Sequence, residues 1–172
     1  MKILLVEDSE QHIEAAKNQL QGHELTIVNG FDEARVELGL SYNIGGLYYK
    51  KYKNEPMPYD VLLTDVMIPK GGYECMDAKG KELVDKQGLM PYGPILVLHA
   101  AQRGIKHIGI LTDGNRHSDP FGFAFDDLHG FKAGDIKIVC ASNLEVRDSS
   151  TGACSKDWAT LLRWTIEGNP NW

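Results

Sequence analysis

Residues Tyr59 to Pro69 read Tyr-Asp-Val-Leu-Leu-Thr-Asp-Val-Met-Ile-Pro, and they contain the strongest structural signal in the chain. The apolar run from Val61 to Leu63 is typical of a strand that is covered on both faces in a parallel sheet. Asp65 follows this run, and Pro69 ends regular structure because proline lacks a backbone N–H. Open α/β sheets bind ligands at the carboxyl ends of their parallel strands. Asp65 is therefore the first candidate for a functional residue.

An acidic pair follows the strand predicted at the start of the chain. This strand, Lys2 to Val6, is a short apolar run that ends in Glu7 and Asp8. Ser9 is a preferred N-cap residue, and apolar residues at helical spacing follow it, so a helix is predicted next. The acidic pair is thus expected in the first loop between a strand and a helix.

Three further apolar segments indicate strands, namely Glu24 to Val28, Ile108 to Thr112 and Ile136 to Cys140. Helical patterns separate the strands, and this alternation predicts an α/β fold with a doubly wound parallel sheet. The 172 residues are expected to form one domain, 1–172. Two segments are too long for minimal connections, so insertions are predicted near residues 41–58 and 70–93.

Proline and capping residues indicate where two further helices begin. The helix before the fourth strand begins at Pro94, which is favoured in a first helical turn, and ends at Gly104. Its apolar residues are predicted to share one face: Ile95, Leu98 and Ala101. The last helix is predicted to begin after a cap at Ser155 or Asp157.

Composition limits the class of partner. The net charge of -6 argues against a general binder of nucleic-acid backbones, and the first apolar run is far too short to cross a membrane. The three cysteines are widely spaced and fit neither a disulfide framework nor a zinc motif. Reduced thiols in a cytoplasmic protein are therefore expected, with no direct nucleic-acid partner and no membrane partner.

Three motifs resemble those of the response-regulator receiver domain of two-component signalling. They are Ile-Leu-Leu-Val-Glu-Asp from Ile3, the stretch from Tyr59 to Pro69, and Ile-Gly-Ile-Leu-Thr from Ile108. They occur in the family's order and cover the core from Lys2 to about Thr112. The resemblance implies a flavodoxin-like receiver fold with insertions, in which five parallel strands have the order 2-1-3-4-5.

The predicted site also makes chemical sense from its residues. Glu7, Asp8 and Asp65 would converge at neighbouring strand ends, where they would repel one another unless a cation lay among them. Hard oxygen ligands suit Mg2+, which can also bridge to a phosphoryl group. The resemblance implies that Asp65 is the phospho-acceptor, that Glu7, Asp8, Asp65 and the Met67 backbone carbonyl bind Mg2+, and that Thr112 contacts the phosphoryl group.

The sequence departs from the family after the fifth strand. Receivers normally place a lysine there, usually followed by proline, whereas the strand predicted at Ile136 to Cys140 continues as Ala-Ser-Asn. Lys137 lies too early in the strand, so the ammonium that pairs with the phosphoryl group is predicted to be missing. The usual aromatic switch residue is not evident either. Ser142 could donate a hydrogen bond without supplying charge, and Lys70 could compensate for the missing lysine.

These observations predict a stand-alone, atypical receiver in a phosphorelay. The chain ends at Trp172, which is expected to leave no room for a DNA-binding module, so output would pass through interaction with another protein or through onward phosphotransfer. The expected partners also include a second copy of the chain in a homodimer. A sensor histidine kinase or a phosphotransfer protein would supply the phosphoryl group, and catalysis would not exceed autophosphatase activity. The alternative is a pseudo-receiver that binds a partner constitutively. A metal-dependent hydrolase would need a second acid two residues after Asp65, where Met67 stands.

Overall fold

The computed structural model describes residues 1–40, 42–44, 47–49, 56–70, 88–112, 130–147 and 152–168. The strands in this part of the chain are β1 (Lys2–Val6), β2 (Glu24–Val28), β3 (Tyr42–Ile44), β4 (Leu47–Tyr49), β5 (Val61–Asp65), β6 (His107–Thr112), β7 (Gly130–Ala133), β8 (Ile136–Ser142), β9 (Glu145–Arg147) and β10 (Cys154–Lys156). The helices are α1 (Glu10–Gln19), α2 (Phe31–Glu37), α3 (Gly93–Gln102) and α4 (Trp158–Glu167).

The central sheet has six strands in the order β2-β1-β5-β6-β8-β7. The first five strands of this order pair in parallel, and β7 is an antiparallel edge strand that pairs with β8. Taken in chain order, the parallel strands have the arrangement 2-1-3-4-5, which is the flavodoxin-like order. The predicted fold class, a doubly wound α/β sheet, is confirmed.

Helices cover both faces of the sheet, which explains why its central strands are continuously apolar. All five residues of β5 are buried. One core cluster lies between the sheet and α2 and α3, where Leu38 and Leu96 are fully buried. The other cluster lies between the sheet and α1 and α4, where Leu20 and Trp158 are buried.

The face that α3 buries differs from the predicted one. Ile95 and Leu98 are 41% and 49% exposed, whereas the buried positions recur at i, i+3, i+4 and i+7. These positions are Gly93, Leu96, Val97 and Ala100. Nearly every position of the helix is apolar, so periodicity alone could not select the face. The close approach of Gly93 to the end of β5 selects it, since the Gly93 N–H donates to the Val66 carbonyl at 3.1 Å.

The insertions predicted near residues 41–58 and 70–93 lie only partly within the described residues. The segment near 41–58 contains an antiparallel pair, β3 with β4. The segment near 70–93 returns through an antiparallel bridge between Ile68 and Met90, and its residues 71–87 lie outside the described residues. An unpredicted excursion separates β8 from α4, where β9 and β10 form a two-stranded antiparallel hairpin. Among the described residues, no helix is long and apolar enough to cross a membrane.

A buried lysine among the candidate metal-binding acids

The three predicted acids converge at the carboxyl edge of the sheet. Asp65 ends β5 and is 5% exposed, while Glu7 follows β1 and is fully buried. β1 and β5 are neighbours that pair in register up to Val6 and Thr64, so both acids follow the last paired level. With the exposed Asp8, they place carboxylate oxygens within 4.8 Å of one another. The predicted convergence is confirmed, and the roles assigned to the acids stay predictions.

Each of the two buried carboxylates has one oxygen held by a backbone amide. Asp65 Oδ1 accepts a hydrogen bond from the Val66 N–H at 2.6 Å. Glu7 Oε1 accepts one from the Ser9 N–H at 2.9 Å. The other oxygens, Asp65 Oδ2 and Glu7 Oε2, accept their contact from a third side chain.

Lys156 lies between them. Its Nζ is 2.7 Å from Glu7 Oε2 and 2.8 Å from Asp65 Oδ2, and its side chain is 1% exposed. The sequence predicted that the ammonium expected after the fifth strand is missing, whereas Lys156 supplies an ammonium beside both acids. The Lys-Pro sequence is absent from the end of β8, as noted, but a lysine from further along the chain reaches the acidic pocket.

The β9–β10 hairpin explains why the sequence did not reveal this lysine. After β8 the chain turns at Asn143, whose φ of 53° is left-handed and whose N–H donates to the Thr112 carbonyl at 3.1 Å. It then runs through the hairpin and returns, and the Asp157 N–H donates to the Leu144 carbonyl at 2.9 Å. The two ends of the excursion thus meet, so Lys156 lies near the place where a lysine was expected directly after the strand.

A signal for Lys156 was nevertheless present in the sequence. Asp157 caps α4 through its side chain, which accepts a hydrogen bond from the Thr160 N–H at 2.9 Å, and this cap was one of the two predicted. Lys156 directly precedes that cap. Counting back from the last helix would have located Lys156 next to a helix start, but its contact with the acids depends on the hairpin.

The electrostatics of the pocket keep Lys156 charged. Burial by itself would lower the pKa of the Lys156 ammonium, but the Asp65 and Glu7 carboxylates outweigh burial and leave the pKa above its ordinary value. The Trp158 ring adds a cation–π contact, with its centroid 5.6 Å from Nζ.

The remaining predicted residues lie at the same edge of the sheet or near it. Thr112 is buried at the end of β6, next to Leu111, which pairs in register with Asp65. Ser142 pairs in register with Thr112 and is half-buried. Met67 is half-buried two residues after Asp65, and its carbonyl ligand role stays a prediction. Lys70, which was suggested as a substitute for the missing lysine, has its Nζ 3.8 Å from Asp32 Oδ2 and pairs with that acid.

The donor set fits a hard divalent cation. All three ligand groups are carboxylates, and Mg2+ prefers oxygen ligands together with retained waters. With the carboxylates ionised and Lys156 protonated, three negative charges and one positive charge leave the pocket at a net charge of -2. A divalent cation would neutralise that remainder. Glu7, Asp8 and Asp65 are the residues that would hold it.

Comparison with known proteins adds one similar structure. The chain is similar to the manganese-bound form of the response regulator Rcp1, with 20% sequence identity over 96% of this chain and 89% of that chain and a TM-score of 0.46. No protein-family model and no curated protein sequence matches the chain. A likeness at this identity and TM-score does not carry function to this chain. The strand order described above is the order that the receiver resemblance implies, so the resemblance seen in the sequence holds for the fold.

Proposed function

We propose that this chain is a receiver-type switch that accepts a phosphoryl group on Asp65. The observation that carries the proposal is the juxtaposition of the buried Asp65 carboxylate with two further acids and with the Lys156 ammonium. One edge of the sheet thus offers a nucleophile, oxygen ligands for a divalent cation and a fixed positive charge. Phosphoryl transfer needs these three elements, because its catalysis rests on positioning and charge stabilisation.

The proposed reaction transfers a phosphoryl group from a phosphodonor to Asp65 and needs no other reactant. An Asp65 carboxylate oxygen attacks phosphorus, a new O–P bond gives an acyl phosphate, and the bond from phosphorus to the donor breaks. The electron pair of that bond leaves with the donor, which is a phosphohistidine of a sensor histidine kinase or phosphotransfer protein, or a small acyl phosphate. Mg2+ held by Glu7, Asp8 and Asp65, with the Met67 carbonyl as a further ligand, would neutralise charge on the phosphoryl oxygens.

Lys156 has two roles in this proposal. Before transfer, its ammonium orients the Asp65 carboxylate from the Oδ2 side, while the Val66 N–H holds Oδ1. After transfer, the same ammonium can pair with a phosphoryl oxygen, because its Nζ is already within hydrogen-bond distance of the attacking group. Thr112 would supply a hydroxyl from the neighbouring strand. The changed pairing of Lys156 would then be communicated to a downstream protein or to a second copy of the chain in the cytoplasm.

One observation favours the alternative, a constitutive pseudo-receiver. Lys156 is already paired with two buried carboxylates, so part of the negative charge in the pocket is compensated without a metal or a phosphoryl group. A pocket with this internal compensation could persist as a structural element, and the chain would then bind its protein partner in a single state.

Intact-protein mass spectrometry distinguishes the two. The chain is incubated with acetyl phosphate or phosphoramidate and Mg2+, in parallel with Asp65→Asn as the matched control. The receiver proposal expects a mass gain of one phosphoryl group that Asp65→Asn abolishes. No gain, in a protein that binds Mg2+, would favour the pseudo-receiver. A gain that persists in Asp65→Asn would refute the assignment of the acceptor.

A further inference from the structure

The side-chain amide of Gln19, the last residue of α1, joins that helix to the start of α4. Gln19 Oε1 accepts hydrogen bonds from the Trp158 N–H at 2.7 Å and the Ala159 N–H at 3.2 Å. Gln19 Nε2 donates to the Lys156 carbonyl at 2.9 Å. One side chain thus holds the backbone on both sides of Asp157.

The local geometry calls for an amide at this position. The first N–H groups of a helix have no hydrogen-bond acceptor within the helix. The Asp157 side chain accepts a hydrogen bond from the Thr160 N–H, which leaves the N–H groups of Trp158 and Ala159 in need of another acceptor. The Lys156 carbonyl, immediately upstream, needs a donor instead. A primary amide carries an acceptor and a donor on one carbon, so it can serve both needs from one position.

Other contacts show that α1 also holds the strand that carries Lys156. The Lys156 N–H points to His12 Nδ1 at 3.4 Å, and the Gln11 side-chain amide donates to the Cys154 carbonyl. The His12 carbonyl accepts from the Trp158 indole N–H at 3.1 Å. Because β10 belongs to the hairpin and not to the central sheet, the sheet ladder does not fix Lys156. Helix α1 adds a restraint to the pairing of Lys156 with Glu145 in the hairpin.

We infer that Gln19 is a positioning residue, which holds the Lys156 backbone so that its ammonium reaches Glu7 and Asp65. The inference rests on the proposed function where it concerns phosphoryl uptake. The effect on the placement of Lys156 can be measured independently of any phosphoryl chemistry. Gln19 touches none of the reacting atoms, so it acts through Lys156.

The variant that separates positioning from folding is Gln19→Glu. It keeps the side-chain length and the acceptor for the Trp158 and Ala159 N–H groups, and a carboxylate at a helix N-terminus is favourable. It removes the donor and places a negative oxygen against the Lys156 carbonyl. Asn18→Asp is the matched control, because it makes the same chemical change at the neighbouring exposed residue.

The first readout is the rate of reductive methylation of Lys156 at neutral pH, followed by peptide mass spectrometry and compared with the thermal midpoint. We expect Lys156 to be methylated about tenfold faster or more in Gln19→Glu, by more than any fall in the thermal midpoint accounts for, and we expect no change in Asn18→Asp. An unchanged rate would overturn the inference. A rate increase explained by a lower midpoint would overturn it too, because exposure would then follow from unfolding.

The second readout is the rate of phosphoryl uptake from acetyl phosphate with Mg2+. Gln19→Glu is expected to lower it about tenfold or more while Mg2+ affinity is not reduced, since the metal-binding acids are intact. Unchanged uptake beside faster methylation would overturn the link from Gln19 to the chemistry. If the unmodified chain takes up no phosphoryl group, the proposed function fails, while the methylation rates still decide whether Gln19 positions Lys156.

Discussion

Lys156 Nζ lies 2.8 Å from Asp65 Oδ2, and both side chains are almost wholly buried. Removing charges from water is costly, so a buried pair is tolerated only where each charge is compensated. Glu7 contacts the ammonium from its other side at 2.7 Å, so the two buried carboxylates share one cation. The stability of the pocket and its proposed chemistry therefore depend on the same lysine.

Lys156→Met is expected to lower the free energy of unfolding by about 3–5 kcal/mol, because it leaves two buried carboxylates without their shared cation. Urea denaturation in the presence of a chelator measures this loss. Added Mg2+ is expected to recover more stability in Lys156→Met than in the unmodified chain, since the metal would then supply the missing positive charge. Lys106→Met, at an exposed position, is the control and is expected to change little. Equal losses in the two variants would contradict the compensating role of Lys156.

The acids Glu7 and Asp8 are expected to separate stability from metal binding. Asp8 is exposed, so Asp8→Ala should leave the free energy of unfolding within about 0.5 kcal/mol while abolishing Mg2+ dependence. Glu7→Gln should weaken metal binding and also lower stability, because it removes one charged partner of Lys156. Calorimetric Mg2+ titration combined with urea denaturation tests both variants. Unimpaired Mg2+ binding in Asp8→Ala would remove Asp8 from the ligand set.

The raised pKa of Lys156 predicts a loss of stability in alkali. The folded-state pKa lies above the unfolded value of 10.5, so the stabilising contribution is complete below that pH and is lost as the pH rises through the folded value. Cys140 acts in the same direction, because burial raises the pKa of its thiol from 9.0 to about 12. The effect of Lys156 is therefore measured in chains that carry Cys140→Ala, which removes the contribution of the thiol.

In that background, the urea midpoint is expected to fall more steeply above about pH 10.5 with Lys156 present than in the double variant with Lys156→Met. Chemical denaturation from about pH 8 to about pH 11 covers the window in which the unfolded lysine titrates. Parallel pH profiles for the two proteins would show that the titration of Lys156 is not linked to folding.

The sequence predicted those features that depend on local pattern. The strands from Val61 and Ile108 are apolar because both of their faces are covered, and such runs are recognisable without knowledge of their neighbours. Asp65 and Glu7 could be placed together because parallel strands end at one edge of the sheet. These inferences needed only the period of the pattern and the rule for where strands end.

Features that depend on distant contacts were not accessible in the same way. The reach of Lys156 follows from a hairpin whose ends meet at Leu144 and Asp157, and no local pattern reveals that closure. The buried face of α3 was missed because an almost uniformly apolar helix has no periodic signal. The position of Lys156 and the buried face of α3 each depend on a backbone hydrogen bond between residues of separate elements.

Gly93→Ala tests the contact that orients α3. A Cβ atom at this position would lie 2.0 Å from the Asp65 carbonyl oxygen and 2.9 Å from the Val66 Cα, which are backbone atoms of the strand end that carries the acceptor. We expect a loss of about 3 kcal/mol in the free energy of unfolding, together with slower phosphoryl uptake, because the helix or the strand end must move.

The matched control is Gly22→Ala, where φ is +90° and a Cβ atom would meet nothing within 4 Å. Only backbone strain of about 1 kcal/mol is expected there, without an effect on phosphoryl uptake. Urea denaturation and the intact-mass assay measure the two effects in both variants. Equal losses of stability with undisturbed uptake would mean that the position of α3 is set elsewhere, and that the end of β5 tolerates its displacement.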